Sequence, residues 1–582
     1  MGSFKFRMLL AIAFILSYLI LPSPTLAQAP DPGAIREQSL DTLKFHQFQK
    51  QFEEKEKEKA APKEDAVVDE TVEPEKSLPE AEGPRIRVNK IQIAPPSEIL
   101  SEKELQKIIR PLEENEVTIK DLYGAVGAIN ALYKKKGAIA AQAVLPPQKV
   151  EDGIVQIQLV EARVGRVAIE NNQSTRENYI KDGVDISVGD LVQLSDLEEN
   201  IFFFNSVNDI ELRATLKPGS KFGTTDYILK VKEPPKYQFA IFTDNAGRKD
   251  VGRERVGFSF TNKSLFGFRD SLTLGGFVGI GNSEAHSNAF DDVFGTRAAF
   301  ASYNFPINSH GTRLHASYDL SNIVIIAGQA EALNVEGKSE NMGLQVRHPF
   351  VVQPNIQLNG FFGGNVKNSE TDFDKITLLR QEVKTLSFGF DMQITFSHSS
   401  IYTRHVYTDS LDERFGDTNF IKYNGEVGLT SVYSNNIVTI MRVKGQWTDN
   451  TILPSAEQFQ IGGMSTVRGY REGFLIGDRG YFTSMEASFP VLLSDWTSRG
   501  NPFEQKVRGM IFVDHGAAFP FTPPGQHINK DDFLTSAGGG LIVNFSRILT
   551  AKVLVGFPLS KRIGETSLRD PKIHFIAQFF PF

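Results

Sequence analysis

The side chains of this sequence that could do chemistry are few, and their spacing argues against catalysis. Ten histidines are scattered between His46 and His574, and none falls in the H-E-x-x-H pattern that sets a zinc-binding pair on one helix face. His515 follows Asp514 directly, but neighbours in a strand point to opposite faces, so the two cannot act as one acid–base pair. Gly538-Gly539-Gly540 precedes a strand rather than a helix, which makes it a packing feature and not a phosphate loop. Cysteine is absent, so disulfides and thiolate-held metals are excluded. The expectation is a protein that is not an enzyme and needs neither cofactor nor metal.

One arginine stands apart. Gly462-Gly463-Met464-Ser465-Thr466-Val467-Arg468-Gly469-Tyr470-Arg471-Glu472-Gly473 surrounds Arg468 with glycines, as a loop that folds back tightly requires. An enclosed guanidinium needs a carboxylate that matches its planar fork. In Lys506–Asp514, alternation puts Val507, Gly509, Ile511 and Val513 on one face, with Arg508, Phe512 and Asp514 on the other. In the strand before it, Ser484, Glu486 and Ser488 oppose Met485 and Ala487. Glu486 and Asp514 would then face the same way on adjacent strands.

The elements that must carry these residues occupy residues 236–582. This part has almost no helical periodicity and consists of ~10-residue segments of alternating polarity separated by turns. The clearest sets Leu386, Phe388, Phe390, Met392, Ile394 and Phe396 against Ser387, Gly389, Asp391, Gln393 and Thr395. Segments near Tyr237, Glu254, Asp270, Phe294, Gly311, Asn341, Ile356 and Leu386 begin the series. Those near Ser400, Phe420, Asn436, Gly480, Lys506, Leu534, Thr550 and Lys572 complete it, giving about 16 strands, an even number as an up-and-down barrel requires. A soluble sandwich would show the same alternation. The export signal described next, and a final strand holding Phe579-Phe580-Pro581-Phe582, favour a barrel that closes in lipid.

The first residues carry Lys5 and Arg7, an apolar run from Met8 and a small-residue site at Thr25-Leu26-Ala27, the signature of a secretory signal peptide spanning 1–27. A membrane anchor is the alternative, but a run of roughly 14 apolar residues falls short of the ~20 a spanning helix needs. Residues 28–84 hold a charged helix, Ala34–Lys59, and an acidic linker from Ala60 to Pro84 punctuated by Pro62, Pro74, Pro79 and Pro84, expected to be disordered.

Residues 85–162 read as a small α/β domain. Ile86–Ile93 forms a strand, Ser101-Glu102-Lys103-Glu104 caps a helix to about Leu112, Thr118–Lys136 forms a second helix stopped by Gly137, and strands follow at Ala140–Leu145 and Ile154–Val160. Residues 163–235 repeat that order, with Ser195-Asp196-Leu197-Glu198 as another capping box, so the pair is a duplicated module. The net charge of −7 is small for 582 residues and forms no basic stripe, so nucleic acid is not an expected partner.

Val467-Arg468-Gly469-Tyr470 resembles the signature loop of the two-partner secretion transporters of the haemolysin and filamentous-haemagglutinin type (TpsB proteins). Phe512-Val513-Asp514 resembles the inner-wall strand motif of that family. Lys134-Lys135-Lys136-Gly137 and Leu145-Pro146-Pro147-Gln148 are similar to its first POTRA domain, and Leu216-Lys217-Pro218-Gly219 to its second. The sequence departs from the family at Ala138, Ala162 and Asn205-Ser206-Val207-Asn208.

The resemblance implies a transmembrane β-barrel in the bacterial outer membrane behind two periplasmic POTRA domains and an N-terminal helix that can occupy the pore. Arg468 would pair with Asp514 inside the lumen, either as part of the transport cycle or only to hold a plug-like loop. Gly137, Pro146, Pro147 and Gln148 would belong to the substrate-docking surface. The implied partners are a secreted, TpsA-like exoprotein, outer-membrane lipid, and the barrel-assembly machinery that inserts the protein. An assembly factor of the BamA or TamA kind is the alternative function, and a diffusion porin would not need POTRA modules.

Overall fold

The computed structural model describes residues 68–70 and 85–581, apart from 139, 282–292, 329–330, 332–333, 415–418, 450–451, 492–506, 521–532, 546–547 and 561–569. The expected signal peptide and the expected N-terminal charged helix lie outside the described residues. Part of the expected linker is ordered: Val68–Glu70 forms a strand, β1.

The first domain contains β2 (Ile86–Val88), β3 (Lys90–Ala94), α1 (Glu102–Ile109), β4 (Asn115–Val117), α2 (Ile119–Lys135), β5 (Ala141–Val144) and β6 (Ile154–Glu161). The single strand expected at its start is two, because Asn89 breaks it. Its amide binds the Gly153 carbonyl at 2.8 Å, β2 pairs with β4, and β3 pairs in parallel with β6. Ser101 caps α1 as expected, with Glu104 reaching back to the Ser101 amide at 2.9 Å. Gly137, at φ +77°, ends the run of α2 in a left-handed conformation that a side chain would strain.

The second domain contains β7 (Arg163–Glu170), α3 (Glu177–Val184), α4 (Leu194–Val207), β8 (Glu211–Pro218) and β9 (Thr224–Lys232). Its core is built from one face of α3 and α4 on the sheet, with Ile180, Leu197, Ile201, Phe204, Leu212 and Leu229 buried. Ser195 does not cap α4. The helix begins two residues earlier than that cap would allow, at Leu194, whose amide donates to the Gly137 carbonyl of the first domain at 3.1 Å. β1 adds in parallel to the outer edge of β8, pairing Val68, Asp69 and Glu70 with Ala214, Thr215 and Leu216.

From Tyr237 the chain forms a closed barrel of sixteen strands, each antiparallel to its neighbours. The first eight are β10 (Tyr237–Asp244), β11 (Glu254–Asn262), β12 (Ser271–Ile280), β13 (Phe294–Pro306), β14 (Arg313–Val324), β15 (Val335–Gln353), β16 (Ile356–Phe373) and β17 (Ile376–Thr395). β18 (Ser399–Arg414), β19 (Ile421–Val432) and β20 (Val438–Thr448) lead into a long loop holding the hairpin β21 (Phe459–Ile461) and β22 (Leu475–Gly477). The last five are β23 (Arg479–Pro490), β24 (Val507–Phe519), β25 (Phe533–Phe545), β26 (Leu549–Pro558) and β27 (Lys572–Phe579). All sixteen fall where the alternation placed them, although β27 ends at Phe579 and the glycine triplet 538–540 lies within β25 rather than ahead of it.

Closure joins β10 to β27 through Ile241–Asp244 and Ile576–Phe579. No helix among the described residues is long and apolar enough to cross a membrane. The barrel strands pair their backbone groups all around a closed ring, the arrangement that lipid tolerates in a sheet. The two faces differ as lipid outside and a polar lumen inside require. Phe388, Met485 and Ile511 are at least half exposed on the outside, while Asp391, Glu486 and Asp514 are buried within.

The second domain is seated against the periplasmic turn between β11 and β12. Arg269 enters it and is gripped by both carboxylate oxygens of Asp209 at 2.7 Å, with Glu233 3.8 Å away. Beside this pair, the Arg176 amide donates to the Gly267 carbonyl at 2.9 Å and its guanidinium lies over Phe268.

Candidate functional site in the barrel lumen

The loop between β20 and β23 turns into the lumen and places Arg468 against the inner wall. The Arg468 Nε donates to Asp514 Oδ2 at 2.8 Å and Nη2 to Asp514 Oδ1 at 2.6 Å, a two-point match of guanidinium and carboxylate. Nη1 donates to Glu486 Oε1 at 2.5 Å and Nη2 also to Ser484 Oγ at 3.0 Å. The Arg468 backbone amide adds a bond to Asp514 Oδ2 at 3.0 Å, so the carboxylate holds backbone and side chain together. Phe512 supplies the floor, its ring centroid 3.7 Å from the guanidinium carbon.

Strand parity makes this possible. β23 and β24 pair Ser484 with Asp514 and Glu486 with Phe512, so four inward residues form one patch on adjacent strands. One cation and two carboxylates are withdrawn from water there, with Arg468 only 2% exposed and Asp514 fully buried. Ser484 Oγ donates to Asp514 Oδ1 at 2.8 Å, and Ser536 Oγ lies 3.4 Å from Oδ2, so the acceptor positions of Asp514 are filled.

The residues around Arg468 explain the loop's composition. Gly469 has φ +118°, and a Cβ there would come within 3.0–3.1 Å of Ser536, Phe557 and Pro558. Across from it, a Cβ on Gly556 would meet the Arg468 carbonyl at 2.7 Å. The loop tip therefore rests directly on bare backbone of β26. Val467 is buried with Phe459, Ile461, Leu475 and Phe482, and the Tyr470 hydroxyl lies 2.9 Å from the Ser560 carbonyl.

The four expected first-domain residues do not join this site. Gly137 faces the second domain, with Ser195 Oγ 3.4 Å from where its Cβ would stand. Pro146 and Pro147 form a turn closed by Gln148, whose amide binds the Gln156 nitrogen at 2.7 Å and carbonyl at 2.8 Å, supplying β6 with the partners another β5 residue would give. These geometries hold the domain and its joint together.

Sequence reasoning missed three features. Glu457 in the stem of the loop meets Lys367 of β16 and Lys422 of β19. Arg269 clamps the second domain to the barrel. Asn205, in the stretch that departs from the family pattern, binds the Leu212 amide at 2.8 Å and carbonyl at 3.0 Å, just as Asn130 binds Ala143 in the first domain. The equal element order of the two modules could have pointed to these matched asparagines.

A closed sixteen-strand barrel, periplasmic α/β domains at its mouth and a lumenal loop pinned to the inner wall define an outer-membrane transporter of protein chains. The chain belongs to the haemolysin secretion/activation protein family ShlB/FhaC/HecB, whose model matches residues 223–541, and a POTRA domain of the ShlB type matches residues 86–162. It is similar to the heme/hemopexin transporter protein HuxB of Haemophilus influenzae strain 86-028NP, 22% identical over 82% of this chain and 84% of that one. Among solved structures it resembles CdiB from Escherichia coli, at a TM-score of 0.65 and 18% identity over 96% of this chain and 100% of that one. BamA from Haemophilus ducreyi lacking POTRA domains 1–3 shares the fold more distantly, at a TM-score of 0.52 and 14% identity over 85% of this chain and 100% of that one. The protein is thus an outer-membrane two-partner secretion transporter with its POTRA domains in the periplasm, and it works with a secreted exoprotein.

Proposed function

We propose that the chain exports one large exoprotein of the haemolysin or adhesin type, which docks unfolded on the POTRA domains and passes through the lumen when the tip of the Arg468 loop leaves the inner wall. The observation that carries this reading is the strand β1 on the second domain: the outer edge of β8 accepts an extended segment through main-chain hydrogen bonds. Recognition of that kind takes an unfolded chain with little demand on its sequence. No covalent step is involved, and the transport energy comes from the exoprotein folding outside the cell.

Deleting the protein tests the reading. One exoprotein trapped in the periplasm supports it, whereas broad loss of outer-membrane proteins would make the chain an assembly factor. The role of the lock is tested by the charge-swapped pair Arg468→Asp/Asp514→Arg. Recovery of secretion over either single variant supports a direct pair in the cycle. Continued failure in normally assembled barrels would assign Arg468 another role.

A further inference from the structure

The loop that carries Arg468 is anchored a second time, and the two anchors differ in what surrounds them. In the stem, Glu457 is 4% exposed and its carboxylate lies between Lys422 of β19 and Lys367 of β16, the latter at 2.9 Å. The same lysines reach the main chain, Lys422 Nζ donating to the Glu457 carbonyl at 3.3 Å and Lys367 Nζ to the Ala456 carbonyl at 3.4 Å. Gln446 of β20 donates to both Glu457 and Asp478 carbonyls, at 2.9 and 3.0 Å, tying the outgoing and returning strands of the stem. Asp478 closes the base by accepting from the Leu453 amide at 2.8 Å and the Gln458 side chain at 3.1 Å. Leu453 adds an apolar contact with Val383 and Phe420.

Between stem and tip stand glycines in left-handed conformations. Gly462 and Gly463, at φ +102° and +105°, directly follow β21, and Gly473, at φ +60°, directly precedes the last residue before β22. Such positions absorb large backbone rotations at little steric cost. The segment Met464–Glu472 is therefore bounded by two pivots, while the hairpin behind it packs on β23 and β24 and the residues leading into that hairpin, Ala456 and Glu457, are bound to β16, β19 and β20. The charges are opposed as well. The tip cluster holds one cation and two acids, and the stem cluster two cations and one acid.

We infer that Glu457 is a positioning residue that keeps the stem fixed on β16, β19 and β20 while the tip swings about its glycine pivots. Opening the lumen is then a local rotation of Met464–Glu472 and not withdrawal of the whole loop. The inference rests on the reading that the tip leaves the wall during transport, and the test separates the two.

The chain has no cysteine, so paired cysteines can be placed in the full-length transporter in cells. Leu453→Cys/Val383→Cys fastens the stem, and Met464→Cys/Ala246→Cys fastens the tip, each pair drawn from one buried cluster and leaving Glu457 and Arg468 intact. When oxidised, the stem pair should leave secretion unchanged and the tip pair should abolish it, with reductant restoring export. A stem pair that blocks export as fully as the tip pair would overturn the inference alone. A tip pair that does not block export would overturn the gate reading and the inference with it.

Glu457→Gln should lower secretion by about tenfold or more, because two buried lysines lose their counter-ion. Oxidising the stem pair in that variant should restore export, a recovery that general damage to the barrel would not show. Failure to recover in assembled barrels would overturn the positioning role.

Discussion

Replacing Arg468 by alanine tests the physics of the lock most directly. The substitution removes both bonds to the Asp514 carboxylate, at 2.8 and 2.6 Å, and the bond to Glu486 at 2.5 Å. It leaves Asp514 and Glu486 buried together with no cation, and breaking such a pair from one side costs about 3–5 kcal/mol. At about 1.4 kcal/mol per factor of ten, the docked tip should open roughly one hundred to a few thousand times more often. Water entering the vacated lumen re-solvates the carboxylates, so the lower end, about a hundredfold, is the expected gain. Val467→Cys provides the readout, because Val467 is fully buried and a thiol there is reached only when the tip lifts. Maleimide labelling of Val467→Cys with and without Arg468→Ala, in detergent-solubilised barrels, gives the ratio. Neutralising all three charges, Arg468→Met/Glu486→Gln/Asp514→Asn, should label more slowly than Arg468→Ala, since no uncompensated charge remains. Equal labelling in all backgrounds, within about threefold, would show that the ion cluster does not hold the tip.

Gly469→Ala should lift the tip even with Arg468 in place, since its Cβ would press on Ser536, Phe557 and Pro558 from a left-handed backbone, and the same thiol assay reads the effect. Gly556→Ala should act from the opposing strand by crowding the Arg468 carbonyl, destabilising docking by about 1–3 kcal/mol. Asn205→Leu should strip Leu212 of both bonds from the Asn205 side chain and weaken the second domain by about 1–3 kcal/mol, measurable as faster amide exchange along β8. Acid should loosen the start of α1: Lys136 and Ser101 hold the Glu104 carboxyl at about 2, below its ordinary 4.5, so its contribution is complete above pH 4.5 and is lost as pH falls toward 2. Glu104→Gln should flatten that dependence, followed by exchange of the α1 amides.

The barrel was legible because lipid imposes a period of two on every strand. Leu386, Phe388 and Phe390 face outward for the same reason that Asp391 is buried inside, and one residue of slip would invert both. The same parity brought Glu486 and Asp514 to one wall before any partner was placed. Glu457 was not legible, since it meets Lys367 and Lys422 only when the loop folds back into the lumen across the inner faces of β16 and β19, a contact that no local pattern in the loop encodes. β1 escaped for another reason. Val68–Glu70 sits in an acidic, proline-punctuated stretch, and its order comes from the edge of β8, through backbone bonds that leave no pattern in its own side chains. At Ser195 a tertiary bond overrode a local signal: the Leu194 amide is met by Gly137, so α4 starts without the expected cap.

Charge, rather than apolar packing, would suit the proposed lock, which has to open into a water-filled lumen. A buried ion cluster gains from its close contacts about what it loses in hydration, so its net stabilisation is small even though removing one member is costly. Releasing Arg468 intact lets the guanidinium and both carboxylates recover water together, and the tip can leave and return. A purely apolar tip would expose its whole buried surface on each opening, at about 25 cal/mol for every Å². Val467 and Tyr470 add some of that apolar hold, and both lie within the pivoting segment beside Arg468. The lock is sensitive to loss of any one charge and yet lightly held as a whole, a combination that the proposed gate, opening for each exported chain, would require.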